Sequence, residues 1–117
     1  MKSILENLNR SVGVVGSAVV TPDGMLVESA IADGRDQEAL AAIASSLVQS
    51  IGRSLRNLSG AALGVMTIDG SRGKIVLVNA GRAFLLVITD SALALDTALL
   101  DVRVAVERVE RKICLDA

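Results

Sequence analysis

Histidine, tryptophan and tyrosine are missing from the chain, and Phe84 is its only aromatic residue. Because histidine is the most common general base and metal ligand in proteins, its absence removes the usual acid–base and metal chemistry. A single phenylalanine provides no platform on which the bases of single-stranded nucleic acid could stack. The only cysteine, Cys114, excludes an internal disulfide and every cysteine-based zinc motif. We therefore expect a protein that is not an enzyme and that holds neither a metal nor a cofactor.

Neither sign of charge dominates the chain, and no apolar run is long. Twelve basic and 13 acidic residues give a net charge of −1, which provides no attraction to a phosphate backbone. The most apolar windows, Ala61–Ile68 and Ile75–Ile88, are shorter than the roughly 18 uncharged residues that span a bilayer. The first residues include Glu6 and Arg10, where a signal peptide would be apolar. We expect a cytoplasmic protein that binds no nucleic acid and does not insert into a membrane.

The 117 residues suffice for one domain, 1–117, and are too few for two separate cores. The periodicity of the apolar residues and the turn residues between them predict the order α-β-β-α-β-β-β-α. The predicted helices are Ser3–Asn9, Asp36–Arg56 and Thr97–Ile113. The predicted strands are Val12–Val20, Met25–Ile31, Ala61–Ile68, Lys74–Val78 and Arg82–Thr89.

The last predicted strand is apolar on both of its faces. Phe84, Leu86 and Ile88 point to one side of the sheet, and Leu85 and Val87 point to the other. A sheet with one wet face would alternate apolar with polar residues, so this sheet must be covered on both sides. Short connections allow the last three strands to be antiparallel neighbours only. The sequence predicts a three-layer α/β/α sandwich around a five-stranded antiparallel sheet, as in profilin-like folds.

The strand predicted at Ala61–Ile68 carries no charge and no proline. It opens the meander of three strands, so we expect it at one edge of the sheet. Sheet edges are normally protected by lysine, proline or a bulge, because their unpaired N–H and C=O groups recruit other strands. The other candidate edge, Met25–Ile31, is protected by Glu28. One edge is therefore predicted to pair with a second chain.

The central helix carries large apolar residues at spacings of three and four, and small residues beside them. The small residues would suit an ordinary helix packed against a loop, or two helices in close contact. Together with the unprotected strand, they favour a two-fold homodimer, the most common oligomer geometry. The interface residues that we predict are Ala39, Ala42, Ile43, Ser46, Ser50, Leu63, Val65 and Thr67.

Three segments resemble the Roadblock/LC7 family. Val14–Val27 is similar to the family's first hairpin, with a glycine, small and branched residues, and an acidic-glycine turn. Ala39–Ala42 resembles the alanine-rich start of its central helix. Phe84–Asp90 resembles its last strand, which commonly ends in Thr-Asp. The match follows nearly the whole chain in order and spacing.

The resemblance implies a non-catalytic platform that dimerises through the central helix and the first strand of the meander. MglB-like members of the family bind a small Ras-like GTPase and stimulate its GTP hydrolysis. On this chain the implied GTPase-facing residues are Gln49, Arg53 and Arg56. The other interpretation of the two arginines is the solvated polar end of the central helix. An alternative function is a small-molecule-binding sensor, but ligand pockets usually contain aromatic side chains.

Overall fold

The computed structural model of the chain describes residues 1–31, 37–71, 73–90 and 92–116, with the backbone alone at 92–97 and 114–116. The helices are α1 (Lys2–Asn9), α2 (Gln37–Ser59) and α3 (Ala92–Asp116), and the strands are β1 (Val14–Val20), β2 (Leu26–Ile31), β3 (Val65–Gly70), β4 (Gly73–Asn79) and β5 (Phe84–Thr89). The predicted order of elements is confirmed. The predicted start of the central helix at Asp36 and the side chain of Cys114 lie outside the described residues.

The five strands form one antiparallel sheet in the order β2-β1-β5-β4-β3. The hairpins β1–β2, β3–β4 and β4–β5 are neighbours along the chain, while β1 and β5 join the two halves at the centre of the sheet. The edge strands are therefore β2 and β3, as predicted. Both faces of the central strand β5 are buried.

Each face of the sheet carries its own core. On one face, α1 and α3 cover buried residues that include Leu5, Val19, Leu85, Val87 and Val109. On the other face, α2 covers a second cluster, which includes Ala18, Val20, Leu77, Phe84 and Leu86. This alternation along the strands produces the three-layer sandwich that the sequence predicted.

The large apolar residues of α2 do not form its buried face. The helix packs on β1 and β2 through small side chains and one valine. These buried residues are Ala41, Ala44, Ser45, Val48 and Gly52. Because Ala18 lies below the helix and Ser45 Oγ donates a hydrogen bond to the Pro22 carbonyl at 2.5 Å, α2 approaches the sheet closely. Leu40 and Leu55 pack against the margin of this core, and Ile43, Leu47 and Ile51 are turned toward one flank of the helix.

Strand β3 begins four residues later than the sequence predicted, at Val65 instead of Ala61. Leu63 belongs to the segment that leads from α2 into the strand, and its side chain is 8% exposed within the core under α2. The prediction that Leu63 lies on the edge strand is therefore wrong. The side chain of Asn79 holds this segment, because its Nδ2 donates to the Leu63 carbonyl at 2.9 Å.

Candidate protein interaction site

The free edge of β3 presents backbone groups that the described strands do not pair. Val65 stands opposite Val78, and the N–H of Asn79 donates to the Gly64 carbonyl at 2.7 Å. In an antiparallel ladder, successive residues direct their N–H and C=O groups alternately to the two sides. Met66 and Ile68 therefore bond to β4, while Val65, Thr67 and Asp69 direct their N–H and C=O groups away from the sheet. These three residues provide a template for an additional strand.

One flank of α2 is apolar and accessible to solvent. Ile43 is 59% exposed and Ile51 is 43% exposed, with the half-buried Leu47 between them. At 100° per residue, this flank lies nearly opposite Gln49, whose side chain contacts Pro22 at the β1–β2 turn. The flank therefore faces the side of the sheet that contains β4 and β3.

The sheet continues this apolar surface beyond the helix. Met66 and Ile68 of β3 lie on the face that α2 packs against, since Met66 is opposite Leu77 in the ladder and Leu77 is in the α2 core. Ile68 is 39% exposed and Met66 is partly buried. The helix flank, this sheet face and the free β3 edge lie side by side. We call them together the edge surface.

The structure locates the predicted interface residues in three places. Ala39, Ala42, Ser46 and Ser50 are exposed on the outer side of α2, next to Ile43. Val65 and Thr67 are exposed on β3, with Val65 at 60%. Leu63 is in the core under α2 and lies away from the other predicted interface residues.

Sequence reasoning missed Ile51, Met66 and Ile68 as members of the edge surface. The strand residues could have been found from the period of two, which places Met66 and Ile68 on one face of β3. Ile51 follows Ile43 by two turns of helix, so the same helical spacing that relates them would have identified it. The sequence does not show in which direction the apolar stripe of Ile43 and Ile51 faces.

The predicted GTPase-facing residues line a cleft at the C-terminal half of α2. Gln49, Arg53 and Arg56 are exposed on the flank of the helix that faces the β1–β2 turn. Gln49 Nε2 donates to the Pro22 carbonyl at 2.5 Å, so its amide is held at the rim. The cleft measures about 280 Å³ and is lined by Pro22, Val48, Gln49, Gly52, Arg53, Arg56, Ala62, Leu63, Asn79 and Phe84. The structure thus brings all three predicted residues to one site, which we call the arginine cleft.

The described residues lack two classes of site. No three histidine, cysteine, aspartate or glutamate side chains of the described residues come together in a way that could hold a metal ion. None of the described helices combines the length and the apolar character that crossing a membrane requires.

The model of the Roadblock/LC7 domain family matches residues 2–90. The chain belongs to the Roadblock/LC7 family. The uncharacterized protein MJ0714 of Methanocaldococcus jannaschii is 31% identical to this Roadblock/LC7 chain over 107 residues, which cover 92% of this chain and 91% of the relative. The family resemblance inferred from the sequence is confirmed.

Solved structures confirm the Roadblock/LC7 fold. Myxococcus xanthus MglB is 18% identical and aligns with a TM-score of 0.88 over 96% of this chain and 93% of MglB. An MglB with tetrameric arrangement is 20% identical and aligns with a TM-score of 0.83 over 93% of this chain and 84% of that chain. At these identities the likeness concerns the fold. The family and fold are thereby established for this chain.

Proposed function

We propose that this Roadblock/LC7 chain forms a two-fold homodimer that acts as a non-catalytic platform for a small Ras-like GTPase in the cytoplasm and modulates its GTP hydrolysis. The observation that carries the proposal is the edge surface. It combines an unpaired strand edge with an exposed apolar helix flank on the same side of the molecule. A lone chain would leave both features in water.

A second copy of the chain satisfies both features at once. Antiparallel pairing of two β3 edges joins the two sheets, and the N–H and C=O groups of Thr67 find partners across the two-fold axis. The same operation brings the Ile43 and Ile51 flanks of the two α2 helices together, with the small residues Ala39 and Ser50 at their margin. A stable interface of this kind buries on the order of 1,200–2,000 Å². The tetrameric arrangement of a solved MglB of similar fold supports the assembly of more than one copy of this chain.

The GTPase partner is supported by family membership and by likeness to MglB. MglB-like Roadblock proteins are regulators of small Ras-like GTPases, and the fold of this chain follows that of Myxococcus xanthus MglB over most of both chains. The exposed outer side of α2, with the arginine cleft at its C-terminal half, is the surface that we assign to the GTPase.

The test is binding of the purified chain to the Ras-like GTPase encoded nearest to it in its genome. We expect a complex in at least one of the GDP-bound and GTP-bound states, measured by calorimetry, and a changed single-turnover rate of GTP hydrolysis. A Val12→Lys chain should bind like the wild type, because Val12 is 84% exposed and lies outside the edge surface and the arginine cleft. Absence of a complex in both nucleotide states would overturn the proposal.

A further inference from the structure

The arginine cleft has an apolar floor and a basic rim. Val48, Leu63 and Phe84 are buried and form the floor, and Gly52 leaves the helix wall without a side chain. A Cβ atom at Gly52 would lie 3.8 Å from Nη1 of Arg56, so this guanidinium lies close to the helix at the cleft. None of the residues that line the cleft is acidic.

The neutral polar side chains of the cleft already have partners. Gln49 Nε2 donates to the Pro22 carbonyl, and Asn79 donates through Nδ2 to the Leu63 carbonyl and accepts at Oδ1 from the N–H of Gly81 at 2.8 Å. The guanidinium groups of Arg53 and Arg56 form no hydrogen bond or ion pair with another described residue. The charged hydrogen-bond donors that the described part of the cleft offers to a partner are therefore the two guanidinium groups.

Two guanidinium groups beside an apolar floor suit a ligand that combines a negative charge with an apolar group. Arg53 and Arg56 are three residues apart on α2, so both reach the same side of the helix. A guanidinium binds a carboxylate through two parallel N–H···O bonds, and these bonds strengthen when water is excluded. An apolar side chain on the floor would exclude that water.

We propose that the arginine cleft binds a segment of the GTPase in which a carboxylate stands beside a bulky apolar side chain. The carboxylate lies between Arg53 and Arg56, and the apolar side chain covers Leu63 and Phe84. This inference rests on the proposed function, because it names the chemistry that the GTPase presents to this surface. The net charge of −1 favours such a local contact over binding to a nucleic acid.

The test compares two charge reversals of equal size. Arg53→Glu/Arg56→Glu changes the cleft, and Arg108→Glu/Arg111→Glu changes two exposed arginines of α3, which lies on the opposite face of the sheet. Both variants carry the same net charge. Affinity for the GTPase is measured by calorimetry, and thermal unfolding verifies that each variant is folded.

We expect the cleft variant to bind the GTPase at least about 30-fold more weakly, the loss that a central interface residue typically causes, and the α3 variant to bind like the wild type. Equal affinity of the cleft variant and the wild type would overturn the inference and leave the proposed function intact. Equal weakening in both variants would also overturn it, since it would report net charge alone. Absence of wild-type binding would overturn the proposed function itself.

A second set of variants identifies the partner group and serves if the charge reversal prevents folding. Arg53→Gln/Arg56→Gln removes both charges without introducing new ones, and we expect the same loss of affinity. Exposed aspartate and glutamate residues of the GTPase are then replaced by lysine one at a time. One of these replacements should restore binding to the Arg53→Glu/Arg56→Glu chain. If none restores it, the carboxylate contact is refuted.

Discussion

The substitution Thr67→Pro tests the proposed dimer contact without removing a hydrogen bond from the fold of the single chain. The N–H of Thr67 is directed to the free edge, so its loss removes no bond within the sheet of one chain. Proline is tolerated in edge strands when its position faces solvent. Met66→Pro, one residue earlier, removes an N–H that is directed to β4 and is the matched control.

The magnitude follows from the symmetry of the contact. In a two-fold pairing of β3 edges, Thr67→Pro removes one N–H donor from each chain and leaves one carbonyl unsatisfied on each partner. A buried group left unsatisfied costs about 2 kcal/mol. Two of them weaken the dimer by about 4 kcal/mol, which raises its dissociation constant by roughly a thousandfold.

The assay is size-exclusion chromatography with light scattering, together with circular dichroism. We expect Thr67→Pro to elute as a folded single chain at concentrations where the wild type is a dimer. Met66→Pro should lose its β-sheet signal. A Thr67→Pro chain that remains dimeric at wild-type concentrations would refute the assignment of the β3 edge to the interface.

Four further variants test the helix flank, the cleft and the β3–β4 turn. Ile51→Lys places a charge on the apolar flank and should dissociate the dimer, in light scattering, while the control Val12→Lys does not. Gly52→Ala should raise the melting temperature by about 3–6 °C, because alanine stabilises a helix interior by about 1 kcal/mol relative to glycine and its Cβ has room. Gly73→Ala should lower the melting temperature strongly, since its Cβ would lie 2.1 Å from the Thr89 carbonyl oxygen. Asn79→Ala should lower the free energy of unfolding by about 1–3 kcal/mol, measured by urea denaturation, because it removes two hydrogen bonds.

The layers and the edges of the fold could be predicted from the sequence because they depend on local periodicity. The alternation of Phe84, Leu86 and Ile88 with Leu85 and Val87 requires cover on both faces of β5, and the structure has it. The short connections between β3, β4 and β5 are also local features of the sequence, and they predict that β3 lies at an edge of the sheet.

The orientation of α2 depends on contacts that are distant along the chain. The helix has one stripe of large apolar residues and small residues on two of its other sides, and the periodicity does not decide which side faces the sheet. The side that carries Ala41, Ala44 and Ser45 does, because Ala18 lies opposite and the Pro22 carbonyl accepts a hydrogen bond from Ser45, 23 residues away. Ile43 and Ile51 are exposed because of this orientation of α2. Helical spacing alone does not determine the orientation.

The start of β3 was mispredicted for a similar reason. Ala61–Ile68 is one continuous apolar run, so no local signal separates Leu63 from Val65. The separation comes from the side chain of Asn79, which binds the Leu63 carbonyl from 16 residues away and holds Leu63 beneath α2. The same contact forms one wall of the arginine cleft. The apolar floor of this cleft could not be predicted from the sequence, because Leu63 and Phe84 meet there only in the folded chain.

Sedimentation equilibrium of the wild-type chain at micromolar concentrations is the most direct measurement of whether two chains form the platform. We expect a species of twice the 12.1 kDa chain mass, or a multiple of that dimer. A single species of 12.1 kDa throughout this range would show that water covers the β3 edge and the α2 flank, and it would contradict the proposed platform.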